Sequence, residues 1–390
     1  MSTHFDDLET RSPERRAADQ LAALNALLPS NGFDPLNDLS ELAKLPVLRK
    51  SDLSNRQKEK PPFGGVPVSN LAHVFQSPGP IYEPGGVTRD WWRMGRFLHA
   101  AGFGTTDIVQ NCFGYHLTPA GMIFENGARA VGAVVLPAGT GQTELQVQAA
   151  HDVGVTGYAG TPDYLKVILE KADEMGVELG IVKAAVSGGA LFPSLRDWYK
   201  DRGITCLQCY ATADVGHIAY ETPAMEGMII DEGVIVEIVT PGTGDPVPDG
   251  EVGEVLVTSL NPDYPLVRFA TGDLSAMMPG QSPCGRTNMR IKGWMGRADQ
   301  TTKIKGMFVR PEQVAALVAK HSEIDRARVV ASRDGEMDVM TVRIETVADD
   351  AARFETSIVE TLKLKGRVEL VPPGALPRDG LVIEDARSYD

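Results

Sequence analysis

The sequence predicts an α/β protein in two parts: a large N-terminal domain built on a sheet with parallel strands, and a small α+β unit behind it. Three observations predict it. Between about Leu71 and Thr258, short apolar runs alternate with helical patterns, which is the rhythm of βαβ units. Between residues 228 and 260, strand runs follow one another across Gly/Pro turns, as in antiparallel meanders. Beyond residue 296 a short helix, two strand runs, a second helix and a tail form a separate unit. At 390 residues the chain is also too long for one ordinary core. The expected domains are residues 1–296 and 297–390.

Taken in order, residues 1–60 read as charged and helical, closed by Pro61, Pro62, Gly64 and Gly65. The runs HVFQS, DIVQNCF, AVVLPAG, VTGYAGT and AAVSGGA read as strands ending in small or polar residues. The segments TRDWWRMGRFLHAAGF, AGMIFENGARAVG, ELQVQAAHDVG and TPDYLKVILEKADEMGV read as the helices between them. In such sheets ligands lie beyond the carboxyl ends of the strands, where these small-residue loops fall. In the C-terminal part, PEQVAALVAKH is a helix with Pro at its first turn. ARVVASRDG and DVMTVRIETV are strands, and DDAARFETSIVETLKLKG is the second helix.

Composition excludes several classes of function. A net charge of −14 repels phosphate backbones, so no nucleic-acid partner is expected. No run of about 18 apolar residues exists, so no membrane span is expected. The polar, acidic N-terminus lacks the apolar core of a secretory signal, and the four cysteines are sparse. Both point to the cytoplasm. The CLQC stretch, Cys206 to Cys209, has redox or half-zinc spacing. It sits in an apolar, β-prone segment rather than at a helix start, and two buried strand thiols is the preferred reading.

The block from Gly244 to Leu274, GDPVPDGEVGEVLVTSLNPDYPLVRFATGDL, is followed by GRADQTTKIKGMFVRPEQV from Gly296. Together, in order and at close spacing, they resemble the adenylate-forming superfamily of acyl-CoA ligases. PCGRTNMRIKGWMGRAD and VELVPPGALP narrow the resemblance to the phenylacetate–CoA ligase branch. The resemblance implies the adenylate-forming fold, with a large α/β domain and a small α+β lid. It implies that a carboxylic acid attacks the α-phosphate of ATP, pyrophosphate leaves, and the thiol of coenzyme A takes the acyl group from acyl-AMP. Mg²⁺ is the implied metal. The partners are a small-molecule acid and CoA, and a homodimer is compatible with the resemblance.

The same resemblance assigns residues. Asp273 would accept hydrogen bonds from the ribose hydroxyls, and Arg297 would pair with ribose or phosphate. Asp299 matches the domain hinge, and Gly306 the glycine beside which the pantetheine arm runs. The YATADV stretch matches a family motif. In it Tyr210 and Ala211 flank the nucleotide and acyl pocket, and Asp214 stands where the family has a Mg²⁺-coordinating glutamate. Ala213 replaces a hydroxyl residue of that motif. The VSGGA loop, with Ser187, Gly188, Gly189 and Ala190, matches the adenine-contacting loop. The acyl pocket falls to Phe113, Tyr115, His116 and His217, with the open alternative that these are core residues beneath the sheet. Family zinc ligands fall at Thr222, Met228, Ser282 and Cys284, where three of four ligands are lost, so no zinc is expected.

Two departures stand out. The phosphate loop is QSPGPIYEP, which keeps Ser77, Gly79 and Pro84. Pro78 and Pro80 have no N–H to donate, and Glu83 adds negative charge. Leu381 occupies the position of the family's adenylation lysine, with Lys303 and Lys305 as nearby cations. The sequence therefore supports an ATP-dependent aryl or arylacetic acid–CoA ligase impaired in adenylation. The alternative is a nucleotide- or acyl-CoA-binding protein without net ligase activity. A third reading, a zinc or thiol redox protein, rests on CLQC alone.

Overall fold

The computed structural model describes residues 3–77, 80–189, 191–300, 302–305, 307–334, 337–377 and 381–387. Two compact units are present: Met1–Thr271 with Ala276–Gly293, and Gly272–Ser275 with Trp294–Asp390. The architecture is that of a mixed α/β protein with a large sheet domain and a smaller C-terminal one.

The large unit is built on a nine-stranded sheet. Its order is Met277–Met278, Arg290–Ile291, Met228–Ile230, Gly216–Tyr220, Thr205–Thr212, Lys183–Val186, Gly157–Gly160, Ile108–Asn111 and Val134–Leu136. The last five strands are parallel, joined through registers such as Val109 with Gly157 and Ala184 with Cys206. The crossover helices Ala120–Ala130, Thr143–Asp152, Pro162–Met175 and Pro193–Asp201 connect them. Pro162 opens its helix, where a missing N–H costs nothing, and Gly176 ends it in the left-handed region at φ +65°. Gly157 is required by close approach: a Cβ there would lie 2.3 Å from the Phe103 ring.

Two predicted elements come out differently. HVFQS is not a strand of the parallel sheet. Leu71–Ser77 pairs antiparallel with Ile81–Gly86, Ser77 opposite Ile81. Only three residues separate the two, so the chain reverses at once and needs no crossover helix. Of TRDWWRMGRFLHAAGF, only Gly95–Ala100 is α-helical. Asp90 and Arg93 take left-handed φ of 57° and 64°, which breaks the pattern, and Trp91 and Trp92 are buried there.

The N-terminal segment packs onto this unit. Its helix Pro13–Leu27 is capped by Ser12, whose hydroxyl accepts from the Arg15 N–H. The short strand Leu48–Arg49 pairs parallel with the start of Phe269–Ser275 and leads directly into the helix Lys50–Glu59. Phe269–Ser275, Gly253–Ser259 and Val234–Val239 complete a second, four-stranded sheet.

The small unit holds a four-stranded sheet ordered Arg367–Val371, Met337–Thr346, Ile324–Asp334, Ile383–Asp385. The helices Pro311–Ala319 and Ala352–Leu362 cover it. Val329, Val342, Ile344, Phe354, Ile358 and Leu362 form its own closed core. Among the described residues no helix is long and apolar enough to cross a membrane.

Candidate active site

Within the large unit, the carboxyl ends of the parallel strands meet the Leu71–Ser77/Ile81–Gly86 hairpin around a cavity of about 140 Å³. Ser77, Phe113, Thr118, Ile123, Phe124, Ser187, Gly188 and Ala211 to Ala213 line it. The walls are mostly apolar. Phe113 stacks on Phe124 with ring centroids 4.3 Å apart. Ile123 and Phe124 lie on the helix Ala120–Ala130, and Ala120 three residues earlier shares their face. The sequence reading of the pocket, Phe113, Tyr115, His116 and His217, missed Ile123 and Phe124, although their i, i+3, i+4 spacing from Ala120 is legible.

The predicted nucleotide residues are placed as follows. Ser187 lines the cavity, and its Oγ donates to the Cys209 carbonyl at 3.0 Å. Gly188 also lines it, at φ +72°, a conformation that a side chain would strain. Gly189 follows, exposed, and Ala190 lies outside the described residues. Ala211 lines the cavity, whereas Tyr210 is buried in the main core of the unit. Gly79 and Pro78 lie outside the described residues; Ser77 borders the cavity from the hairpin.

The acyl-pocket set separates. Phe113 lines the cavity, but Tyr115, His116 and His217 do not. The Tyr115 hydroxyl accepts from Asn111 at 2.8 Å and donates to Glu125 at 3.1 Å, which turns the ring over Gly121 and away from the cavity. His116 is exposed. His217 is fully enclosed, stacked near Phe97, with Nδ1 3.1 Å from the Arg93 carbonyl and 3.6 Å from Asp231. Burial would raise the Asp231 carboxyl, but His217, Arg96 and Arg93 hold it well below the usual carboxylate range. The core reading of His217 is the one its packing supports.

Asp214 stands in the turn between Thr205–Thr212 and Gly216–Tyr220, next to the cavity residue Ala213. Its side chain is 1% exposed, and Oδ2 accepts from the Lys50 ammonium at 2.9 Å. Oδ1 is buried without a hydrogen-bond partner. Glu83 is fully buried on the hairpin, opposite Phe75, and neither of its oxygens is hydrogen-bonded. Burial first, and then the charge of Asp214, push its carboxyl up to about 8, against lowering by Ser77 and Lys50. An orphaned, buried carboxylate oxygen on Asp214 fits the hard-oxygen donor that Mg²⁺ requires. Sequence reasoning missed Lys50; it lies 164 positions from Asp214, and only the fold joins them.

The small unit holds the other motif residues. The backbones of Asp273 and Arg297 form an isolated antiparallel bridge. Asp273 Oδ1 accepts from Arg297 Nη1 at 3.2 Å and from Trp294 Nε1 at 3.1 Å. Gly272, at φ +74°, leaves room for this pair, since a Cβ would sit 2.8 Å from Arg297 Nη2. Trp294 is a further residue that motif matching passed over. Asp299 lies in the 3-10 turn Ala298–Gln300, and Gly306 lies outside the described residues. Leu381 is 41% exposed, just before the strand Ile383–Asp385. Lys305 sits in the turn after Thr302–Ile304, its N–H on Asp338 Oδ2 at 3.0 Å.

The thiol redox reading receives no support from this geometry. Cys206 and Cys209 are free and buried, and burial pushes both thiols up to about 12, far from thiolate chemistry. At the zinc-equivalent positions, the Ser282 hydroxyl donates to Cys284 Sγ at 3.1 Å, and Thr222 and Met228 are buried. Among the described residues no group of three or more His, Cys, Asp or Glu is placed to hold a metal ion.

Residues 103–261 match the family model of the AMP-binding enzymes. The chain is 31% identical to the phenylacetate-coenzyme A ligase of Aromatoleum evansii, across 80% of this chain and 74% of that protein. It is 28% identical to the enzyme of the same name from Thermus thermophilus, across 90% of this chain and 88% of that one. A solved 2-hydroxyisobutyryl-CoA ligase, in its postadenylation state with 2-HIB-AMP, superposes with a TM-score of 0.80 at 25% identity, over 97% of this chain and 91% of that one. The chain belongs to the adenylate-forming superfamily, in its phenylacetate–CoA ligase-like branch, and is an AMP-forming acid–thiol ligase.

Proposed function

We propose that this ligase joins a small apolar carboxylic acid, aryl or arylacetic in size, to coenzyme A through an acyl-AMP intermediate. The observation that carries the reading is the cavity of about 140 Å³ between Phe113, Phe124 and the Ser187–Gly188 loop. A cavity of about 150 Å³ with apolar walls accepts a benzene ring. The phenylacetate-specific names of the relatives and the acyl-AMP in the related ligase agree with it.

In this reading the acid's carboxylate oxygen bonds to the α-phosphorus of ATP and pyrophosphate departs. The CoA sulfur then bonds to the acyl carbon and AMP departs. Ser187 and Gly188 bound the nucleotide, and Asp273, fixed by Trp294 and Arg297, accepts the ribose hydroxyls. Asp214 would hold Mg²⁺, which neutralises phosphate charge when bound. Asp299 serves as the hinge. Leu381 contributes no charge to the first step.

The test is CoA-dependent AMP release from ATP with benzoate, phenylacetate, short branched acids and long-chain fatty acids. It is run on this chain and on Leu381→Lys. Small apolar acids should be turned over and long chains should not. Leu381→Lys should raise the adenylation rate about 100-fold or more, the usual worth of one preorganised charge contact in a transition state. Silence of both proteins with every acid, with no ATP-induced rise in melting temperature, would leave a nucleotide- or acyl-CoA-binding protein instead.

A further inference from the structure

The charge balance around Asp214 points to a second role in the large unit. Asp214 and Glu83 are two buried acids on different elements, and the charge of Asp214 bears on Glu83. Tyr264 joins them: its hydroxyl is buried without a hydrogen-bond partner, and both acids bear on it. Three side chains that act on one another electrostatically thus carry buried unpartnered atoms, Asp214 through Oδ1, Glu83 through both oxygens and Tyr264 through its hydroxyl. Lys50 meets Asp214, its ammonium 2.9 Å from Oδ2.

Lys50 is not a core lysine. Its side chain is 36% exposed while that of Asp214 is 1% exposed, so the pair reaches from the interior to solvent. Backbone pairing sets its position. Leu48 and Arg49 are held in register against Phe269 and Ala270, and Lys50 begins the ten-residue helix Lys50–Glu59. A cation at a helix start opposes the helix dipole, and this residue finds its compensation on Asp214. Ala213, next to Asp214 in the chain, and Ser77, at the end of the strand paired with the one that carries Glu83, both line the cavity. The partner of Lys50 is thus one residue along the chain from the cavity wall, and the ammonium is carried on a side chain with four rotatable bonds.

We propose that Lys50 is a phosphate-binding residue: it occupies Asp214 in the ligand-free chain and passes to a phosphate oxygen when a nucleoside triphosphate binds. This rests on the ATP-dependent reading above. It places in the large unit a positive charge that neither the proline-containing loop nor Leu381 supplies. No covalent bond changes; one ion pair is exchanged for another. The exchange makes Asp214 available at the moment the phosphates arrive.

The test is calorimetric binding of ATP, AMP and adenosine to the full-length protein and to Lys50→Met and Lys50→Arg, without acid or CoA. Lys50→Met should weaken ATP about tenfold or more and leave AMP and adenosine within about twofold. Lys50→Arg should keep most of the ATP affinity, which separates lost charge from a damaged fold. If the unmodified chain binds ATP and Lys50→Met binds it equally well, Lys50 has no phosphate role. Equal weakening of AMP and ATP would also overturn the proposal, because it would mean that Lys50 only holds Asp214 in place. If the unmodified chain binds AMP but not ATP, the ATP-dependent reading itself falls.

Discussion

Glu83 shows how a single residue changes meaning with its surroundings. In the sequence it is one more negative charge in a loop expected to meet phosphates. In the structure it is an enclosed carboxyl opposite Phe75, pushed up to about 8 by burial and by Asp214. Its folded value lies above its ordinary value of 4.5, so the folded chain keeps a proton that the unfolded chain releases. That contribution to stability is full below about pH 4.5 and is lost as pH rises through about 8. Thermal melting across the range from about pH 6 to about pH 9 should therefore show a fall that Glu83→Gln flattens, the variant gaining most at the alkaline end. An unchanged difference between the two proteins across that range would mean that Glu83 is already ionised in the fold. Motifs made residues legible one by one: Asp214 and the Ser187–Gly188 loop at or beside the cavity of the large unit, and the Asp273–Arg297 pair in the small one. His217 and Tyr115 were not decidable, because their side chains turn toward Arg93, Asp231, Asn111 and Glu125, which no spacing rule connects to them.

At the scale of elements, the N-terminal segment carries the clearest contrast. In the sequence it reads only as charged and helical, yet several of its charges are buried pairs with distant partners. Arg16 forms a two-pronged contact with Glu232 at 2.9 and 3.1 Å, and Arg11 adds a third at 2.8 Å. Glu9 accepts from Arg286 at 2.7 Å and from the Tyr220 hydroxyl. These contacts dock the helix Pro13–Leu27 and the turn before it on the large unit. Glu232→Ala would leave Arg16 buried and unpaired, and the expected loss is about 3–5 kcal/mol by urea unfolding. The double variant Arg16→Met/Glu232→Met removes both charges and should recover most of that loss, which separates the cost of an orphaned charge from the worth of the pair. The hairpin Leu71–Ser77/Ile81–Gly86 teaches the same lesson: its first strand was visible as an apolar run, but Ile81–Gly86 read as part of the phosphate loop, and only the fold pairs the two.

For the whole molecule, the two units have separate cores, one around the nine-stranded sheet and one around Phe354, Ile358 and Val342. Separate cores unfold as separate cooperative units. Scanning calorimetry should resolve two transitions, and Phe354→Ala should lower the one belonging to the small unit, at a cost of about 3–5 kcal/mol. Coincident shifts of both transitions would mean that the units unfold as one. Taken by itself, the sequence determined the α/β class, the alternation of strands and helices, and the family, because periodicity and ordered motifs are local properties written along the chain. Tertiary structure alone decided that Lys50 meets Asp214, that Glu83 is buried, and that Phe124 rather than Tyr115 lines the cavity. Those facts depend on which distant segments pack together, and burial, charge pairing and cavity shape exist only once they do.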